Sequence, residues 1–221
     1  MSAILFGSIS TLADTSELQR RAFNEAFAAH GLDWEWSRED YTSMLDSNGG
    51  AQRISDYATS RGDDVDADGV HATKSEIFRE LLTTSGISTR PGVTATVEQA
   101  KKNGVKLGFV TTTSRENVEA ILSVLGAELG DDTFDLVVDR SAVAAPKPDA
   151  AVYAFALDQL GEDHGHAVAI EDNVGGVSAA AAAGVACIAF PNANPAGGDF
   201  SAATEVVDSL DPEKIVDRIS F

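Results

Sequence analysis

Residues 1–14 read MSAILFGSISTLAD, and the fold of the whole chain turns on how this stretch is read. Ala3 to Phe6 is a short, continuously apolar run that breaks at Gly7 into a turn rich in small residues. A strand covered on one face alternates apolar and polar residues, whereas a strand buried on both faces is apolar throughout. The run therefore predicts the first strand of a parallel α/β sheet. Its turn lies at the carboxyl edge, where such sheets open their binding sites.

Composition sets the outer bounds. At 221 residues the chain suits one domain, or a core with a modest insertion, and can bury a sizeable core. A formal charge of -19 excludes nucleic acid as a partner, because no basic surface is available to neutralise a run of phosphates. Cys187 is the only cysteine, so neither an internal disulfide nor a cysteine metal site is expected. It sits in the apolar run GVACIAF and reads as an inert buried thiol. With no signal-peptide pattern and no apolar stretch of membrane-spanning length, a cytoplasmic protein is expected, monomeric or dimeric.

Working outward, Asp14, Thr15 and Ser16 offer N-caps for a helix to about His30, with Leu18, Ala22, Phe23, Ala26 and Phe27 at helical spacing. Further helices are expected from Ser37, over Ala51–Ser60 and over Val70–Leu82, with GDDVDADG as an acidic loop. From Ile87 the pattern becomes regularly alternating. Helices are expected from Pro91, from Arg115 to Leu125, from Ala150 to Leu160, across the alanine-rich run to Ala183, and from Pro212. Between them lie strands at Val105–Val110, Leu136–Val138, Ala167–Ile170 and Val185–Phe190. The fold class is thus a Rossmann-like parallel sheet of five or six strands, residues 1–14 and 87–221, interrupted after its first strand by a helical cap, residues 15–86.

The loops after Phe6, Val110, Val138 and Ile170 should share one edge. They carry Thr111, Thr112 and Thr113 in GFVTTTSREN, Lys147 in AAPKPDAAVY, and Glu171 and Asp172 in AVAIEDNVGG. Each also has a plain structural role: the threonines as a turn capping the next helix, Lys147 as a solvated loop lysine, the acids as helix caps. Together and in this order they resemble the haloacid dehalogenase superfamily. Its first motif reads apolar-Phe-Asp-x-Asp-Gly-Thr-Leu-x-Asp, and Phe6, Thr11, Leu12 and Asp14 match it. RRAFNEAF (20–27), Gly31-Leu32 with Trp34 and Trp36, Gly49-Gly50 with Arg53-Ile54, His71 with Lys74, and Arg90-Pro91-Gly92-Val93 narrow the resemblance. They are similar to the β-phosphoglucomutase-like subgroup, above all the xylulose 1,5-bisphosphate phosphatases of carbon-fixation operons. Gln19 and Ala51 depart from that pattern.

The resemblance implies roles. Thr111, Thr112 and Lys147 would bind phosphate, and Arg53 and Lys74 would meet a distal phosphate from the cap, their plain alternative being surface salt bridges. Trp34 and Trp36 read as packing. Magnesium would be held by the first-motif aspartate, the carbonyl of Ile9, and Glu171 with Asp172. Gly7 stands where the nucleophilic aspartate belongs, Ile9 where the acid/base aspartate belongs, and Ser10 where the glycine belongs. Glycine supplies no nucleophile and isoleucine transfers no proton, so catalysis is expected to be impaired and magnesium weakly bound or absent, with Lys147 pairing with one of the acids. The chain then reads as a phosphosugar-binding pseudoenzyme; the alternatives are an active magnesium phosphatase with another nucleophile, or a regulatory subunit of an active relative. On sequence alone, Gly7→Asp with Ile9→Asp and Ser10→Gly is expected to restore activity.

Overall fold

The computed structural model describes residues 2–45, 49–192 and 198–219. Its sheet comprises β1 (Ala3–Phe6), β2 (Lys106–Val110), β3 (Leu136–Val138), β4 (Ala167–Glu171), β5 (Ala186–Ala189) and β6 (Glu205–Val206). The spatial order is β3-β2-β1-β4-β5-β6, and every pair is parallel. The helices are α1 (Ile9–Leu12), α2 (Ser16–Ala29), α3 (Arg38–Ser43), α4 (Gly50–Arg61), α5 (Ala67–Thr84), α6 (Val93–Lys102), α7 (Arg115–Leu129), α8 (Ala151–Leu160), α9 (Val174–Ala182) and α10 (Pro212–Ile219).

β1 sits between β2 and β4, with Phe6 in register with both Phe109 and Ile170. Ile4 and Phe6 point into the cluster built by α6, α7 and α10, while Ala3 and Leu5 point into the one built by α8 and α9. All four are wholly buried, so the two-residue period of a strand places apolar groups on both faces. The strand order reverses around β1, which puts the crevice of the sheet directly beyond Phe6.

Between β1 and β2 lie α1 to α6 and, among the described residues, no strand; α2 to α5 make up the segment expected as the helical cap. Phe23, Phe27, Trp34, Trp36, Tyr41 and Ile54 make a third apolar cluster there, and Trp36 is wholly buried with its ring centroid 4.6 Å from that of Phe27. Both tryptophans pack. This segment is not detached from the sheet, because Phe78, Leu81 and Leu82 at the end of α5 join the cluster beneath β1. The chain returns at Arg90, whose guanidinium donates to the carbonyls of Ser10, Phe190 and Pro191 and stacks on the Phe190 ring.

Three sequence expectations are corrected. Pro91 does not open α6, which begins at Val93 after Gly92 at φ 86°. The chain passes so close to Leu210 that a Cβ on Gly92 would lie 2.2 Å from the Leu210 carbonyl oxygen. The single turn α1 and the two-residue strand β6 were not expected, being too short to show a period. The acidic loop ends early: Asp66 caps α5 by accepting the Gly69 amide, so the helix starts inside GDDVDADG.

Gly92→Ala should lower the melting temperature by several degrees, combining left-handed strain with the Leu210 collision. Gly104→Ala, also at positive φ but facing open space, should cost visibly less. Equal losses in thermal melts would show that the Leu210 contact is immaterial.

Candidate functional site

The turn after β1 continues the ladder through the Gly7 amide, which donates to the Ile170 carbonyl at 2.9 Å. Ser8 then caps α1: its Oγ accepts from the Thr11 amide at 3.1 Å and donates to Asp172 Oδ1 at 2.6 Å. The Ile9 carbonyl accepts from the Ala13 amide and so belongs to that helical turn. The Ile9 side chain is buried. Beyond β2, the Thr111 amide is held by the Val138 carbonyl, and its hydroxyl accepts from the Thr113 amide. This folds the threonines into a turn that leads into α7.

A cleft of about 1400 Å³ opens above this edge. Its floor includes Ser8, Ile9, Thr111, Thr112 and Asp172; the opposite wall, from α2, α4 and α5, includes Gln19, Ala51, Arg53, His71 and Lys74. Gly7, Lys147 and Glu171 form a buried layer beneath the floor. Lys147 enters from the loop before α8 and turns inward. Its ammonium lies 2.6 Å from Glu171 Oε1, donates to the carbonyls of Gly7 and Val110, and approaches the Tyr153 hydroxyl at 3.5 Å. Tyr153 in turn donates to Glu171 Oε1 at 2.6 Å. Full burial raises the Glu171 carboxyl above its ordinary range, with the Lys147 ammonium pulling the other way. Glu171 Oε2 has no partner.

Position 7 explains how this layer fits. A Cβ on Gly7 would lie 2.1 Å from Glu171 Oε1 and 2.4 Å from the Tyr153 hydroxyl, and one on Gly176 would lie 2.1 Å from Glu171 Cδ. The Glu171 carboxylate therefore fills a slot between two glycines. Repair of the first motif, expected from sequence to restore activity, would require the Glu171 carboxylate to move aside for an aspartate at position 7. Ser10 also needs no glycine, since no non-glycine among the described residues has positive φ.

On the opposite wall, Arg53 and Lys74 are buried, which corrects the surface salt-bridge alternative. Lys74 donates to the Gln19 side-chain carbonyl and sits over the rings of Phe23 and Phe78, and no carboxylate among the described residues is bonded to it. Burial, reinforced by Arg53, lowers its pKa to about 7. His71 is lowered to about 4 by burial and by the charges of Lys74 and Arg140, so it is neutral at pH 7. Arg53 donates to the Met44 carbonyl and faces the Phe23 and Tyr41 rings. Cys187 is buried, which raises its thiol pKa and leaves it unreactive.

Sequence reasoning missed Tyr153, the contact of Ser8 with Asp172, and the pairing of Gln19 with Lys74. The only signal for Tyr153 was its place early in the helix after Lys147. The other two join residues 164 and 55 positions apart and left no local trace.

Residues 1–184 match the family model of haloacid dehalogenase-like hydrolases, and the chain belongs to that family. It is 39% identical over 212 residues to Protein CbbY of Cereibacter sphaeroides, a match covering 94% of this chain and 92% of that protein. The structure resembles the crystal structure of CbbY from Rhodobacter sphaeroides in complex with phosphate, with a TM-score of 0.87 at 38% identity over 95% of this chain and 94% of that one. A mutant of that protein in complex with xylulose-(1,5)bisphosphate matches equally well. The β-phosphoglucomutase of Clostridium difficile, 21% identical with a TM-score of 0.79 over 99% of this chain and 97% of that one, shares the fold.

Hydrolases of this family generally use magnesium, and the donors here do not fit it. Octahedral magnesium needs carboxylate oxygens free to approach at about 2.1 Å. Glu171 is committed to Lys147 and Tyr153 beneath the floor. Asp172 accepts from Ser8, Asn173 and Asn192. Among the described residues no group of three His, Cys, Asp or Glu side chains could hold a metal ion.

Lys74 gives the site a pH signature. Between about pH 7 and its ordinary 10.5 the unfolded chain binds a proton that the folded chain does not, so stability should rise with pH across that window. Below about 7 both states are charged and the slope vanishes. Lys74→Met should flatten the rise in urea-unfolding free energy measured across the window. An unchanged slope would mean that Lys74 titrates normally.

Proposed function

We propose that this chain is a phosphosugar-binding member of its family that has lost aspartyl-phosphate chemistry. The observation that carries the reading is the floor of the cleft: position 7 has no side chain, and the space beside it is filled by Glu171. In-line attack on phosphorus needs a nucleophile within reach, and departure of the sugar oxygen needs a proton donor. Gly7 supplies neither, and Ile9 offers only a buried hydrocarbon.

Binding needs less. Thr111, Thr112 and the amides leading into α7 form an anion site of the helix-terminus kind, which would take one phosphate. Arg53 and Lys74 would meet an anionic group at the far end of an extended ligand, and the buried ammonium would regain its proton as that group arrives. The complexes of CbbY with phosphate and with xylulose-(1,5)bisphosphate support this ligand class. Residues 15–86 are read as a cap over a core of 1–14 and 87–221. Lys147, neutralised by Glu171, is read as structural rather than as a phosphate ligand, and magnesium as weak or absent. A cytoplasmic location suits a sugar-phosphate ligand, and no helix among the described residues is long and apolar enough to cross a membrane.

A second reading rests on one contact. Ser8 Oγ donates to Asp172 Oδ1 at 2.6 Å, the geometry of a hydroxyl nucleophile and its base, which sequence alone did not reveal. Against it, Asp172 also accepts amide protons from Asn173 and Asn192, and the Ser8 oxygen accepts the Thr11 amide, so both are weakened.

Xylulose 1,5-bisphosphate at saturating concentration should raise the melting temperature by roughly 5 °C or more. Phosphate release with magnesium should not exceed the buffer background. Thr111→Val should abolish the shift. Magnesium-dependent release that Asp172→Ala abolishes would sink this reading, and release abolished by Ser8→Ala as well would establish the second.

A further inference from the structure

Gln19 stands on α2 and lines the same wall of the cleft as Arg53, His71 and Lys74. Its side-chain carbonyl accepts from the Lys74 ammonium, which reaches it from α5. The ammonium also lies 4.7 Å and 5.0 Å from the ring centroids of Phe23 and Phe78. An amide oxygen and aromatic faces carry only partial negative charge, so they solvate an ammonium without cancelling it. Arg53 adds a like charge from α4. Lys147, also buried, is treated differently: the Glu171 carboxylate answers it at 2.6 Å. Glutamate has the size and shape of glutamine and would reach Lys74 equally well from position 19. Shape therefore does not account for the amide, and charge does.

We propose that Gln19 sets the charge of the far wall: by answering Lys74 with a neutral amide it keeps one positive charge for the ligand, and so selects ligands with two anionic ends over those with one. The inference rests on the reading that an anionic group meets Lys74, and it names the residue that decides whether that group can be held. Gln19 acts through Lys74 and is a positioning residue. A carboxylate at position 19 would be permanently at hand, at an effective concentration that a dissolved ligand does not match. It would hold the ammonium and repel the second anionic group. Specificity is a difference of affinities, so the loss would fall on a bisphosphate and spare a monophosphate held at Thr111 and Thr112.

Binding of xylulose 1,5-bisphosphate and of xylulose 5-phosphate is measured by calorimetry for wild type, Gln19→Glu and Gln19→Met. The same proteins, Lys74→Met and the double variant Gln19→Glu with Lys74→Met are melted without ligand. Wild type should prefer the bisphosphate by about tenfold or more. Gln19→Glu should reduce that preference to about threefold or less, yet melt about 3 °C or more above wild type, because an ion pair replaces an uncancelled charge. The gain should vanish in the Lys74→Met background. Gln19→Met, neutral but a poor acceptor, should melt below wild type and keep the preference. A merely structural role for Gln19 would move affinity and stability together, whereas here Gln19→Glu moves them in opposite directions. Three results would each overturn this inference alone: a Gln19→Glu variant no more stable than wild type, one that keeps the full preference, or a Gln19→Met variant that loses it as completely. A wild type that binds neither sugar phosphate would overturn the proposed function, and this inference with it.

Discussion

Beneath the carboxyl edge of the sheet, the Lys147 ammonium and the Glu171 carboxylate meet at 2.6 Å with both side chains almost wholly out of solvent. Neither charge could be left there alone, since an uncompensated buried ion costs several kcal/mol. The pair dictates its surroundings. It needs carbonyls turned inward at the ends of β1 and β2, a phenol from α8, and glycine on both sides of the carboxylate. Because β1, β2, β4 and α8 all contribute, this one contact ties together the elements whose ends define the cleft. The cleft floor is consequently made of what remains: hydroxyls, Asp172 and an isoleucine.

The far wall follows a different logic. Lys74 is buried among phenylalanine rings and answered by an amide carbonyl, so its charge is tolerated rather than neutralised. In a chain of formal charge -19 this is not for want of acids. The acids lie largely on the outside, where water solvates them, and Lys74 faces the cleft. Among the described residues no carboxylate answers this cation, and it lies across the cleft from the threonine turn.

Much of this was legible in the residues. The unbroken apolar run of Ala3–Phe6 gave away a strand covered on both faces, and the loops carrying Thr111, Lys147 and Asp172 follow from the crossover rule for parallel sheets. What stayed hidden was direction and depth. Spacing places Lys147 and Glu171 at the edge, but it does not say that both turn inward, because side-chain orientation is decided by the room at Gly7 and Gly176. Likewise Arg53 and Lys74 read equally well as surface charges until the packing of Phe23 and Phe78 is known. Pro91 misled for a similar reason: its fixed φ suits a helix start, yet the close pass of Gly92 against Leu210 settles where α6 begins.

The Arg90 side chain has a consequence of its own. Its guanidinium joins the turn after β1, through the Ser10 carbonyl, to the stretch just beyond β5, through the Phe190 and Pro191 carbonyls. These stretches lie far apart in the sequence, so the residue at which the chain comes back from α5 is a clasp: the carboxyl edge of the sheet is fastened only once the intervening helices have brought it home.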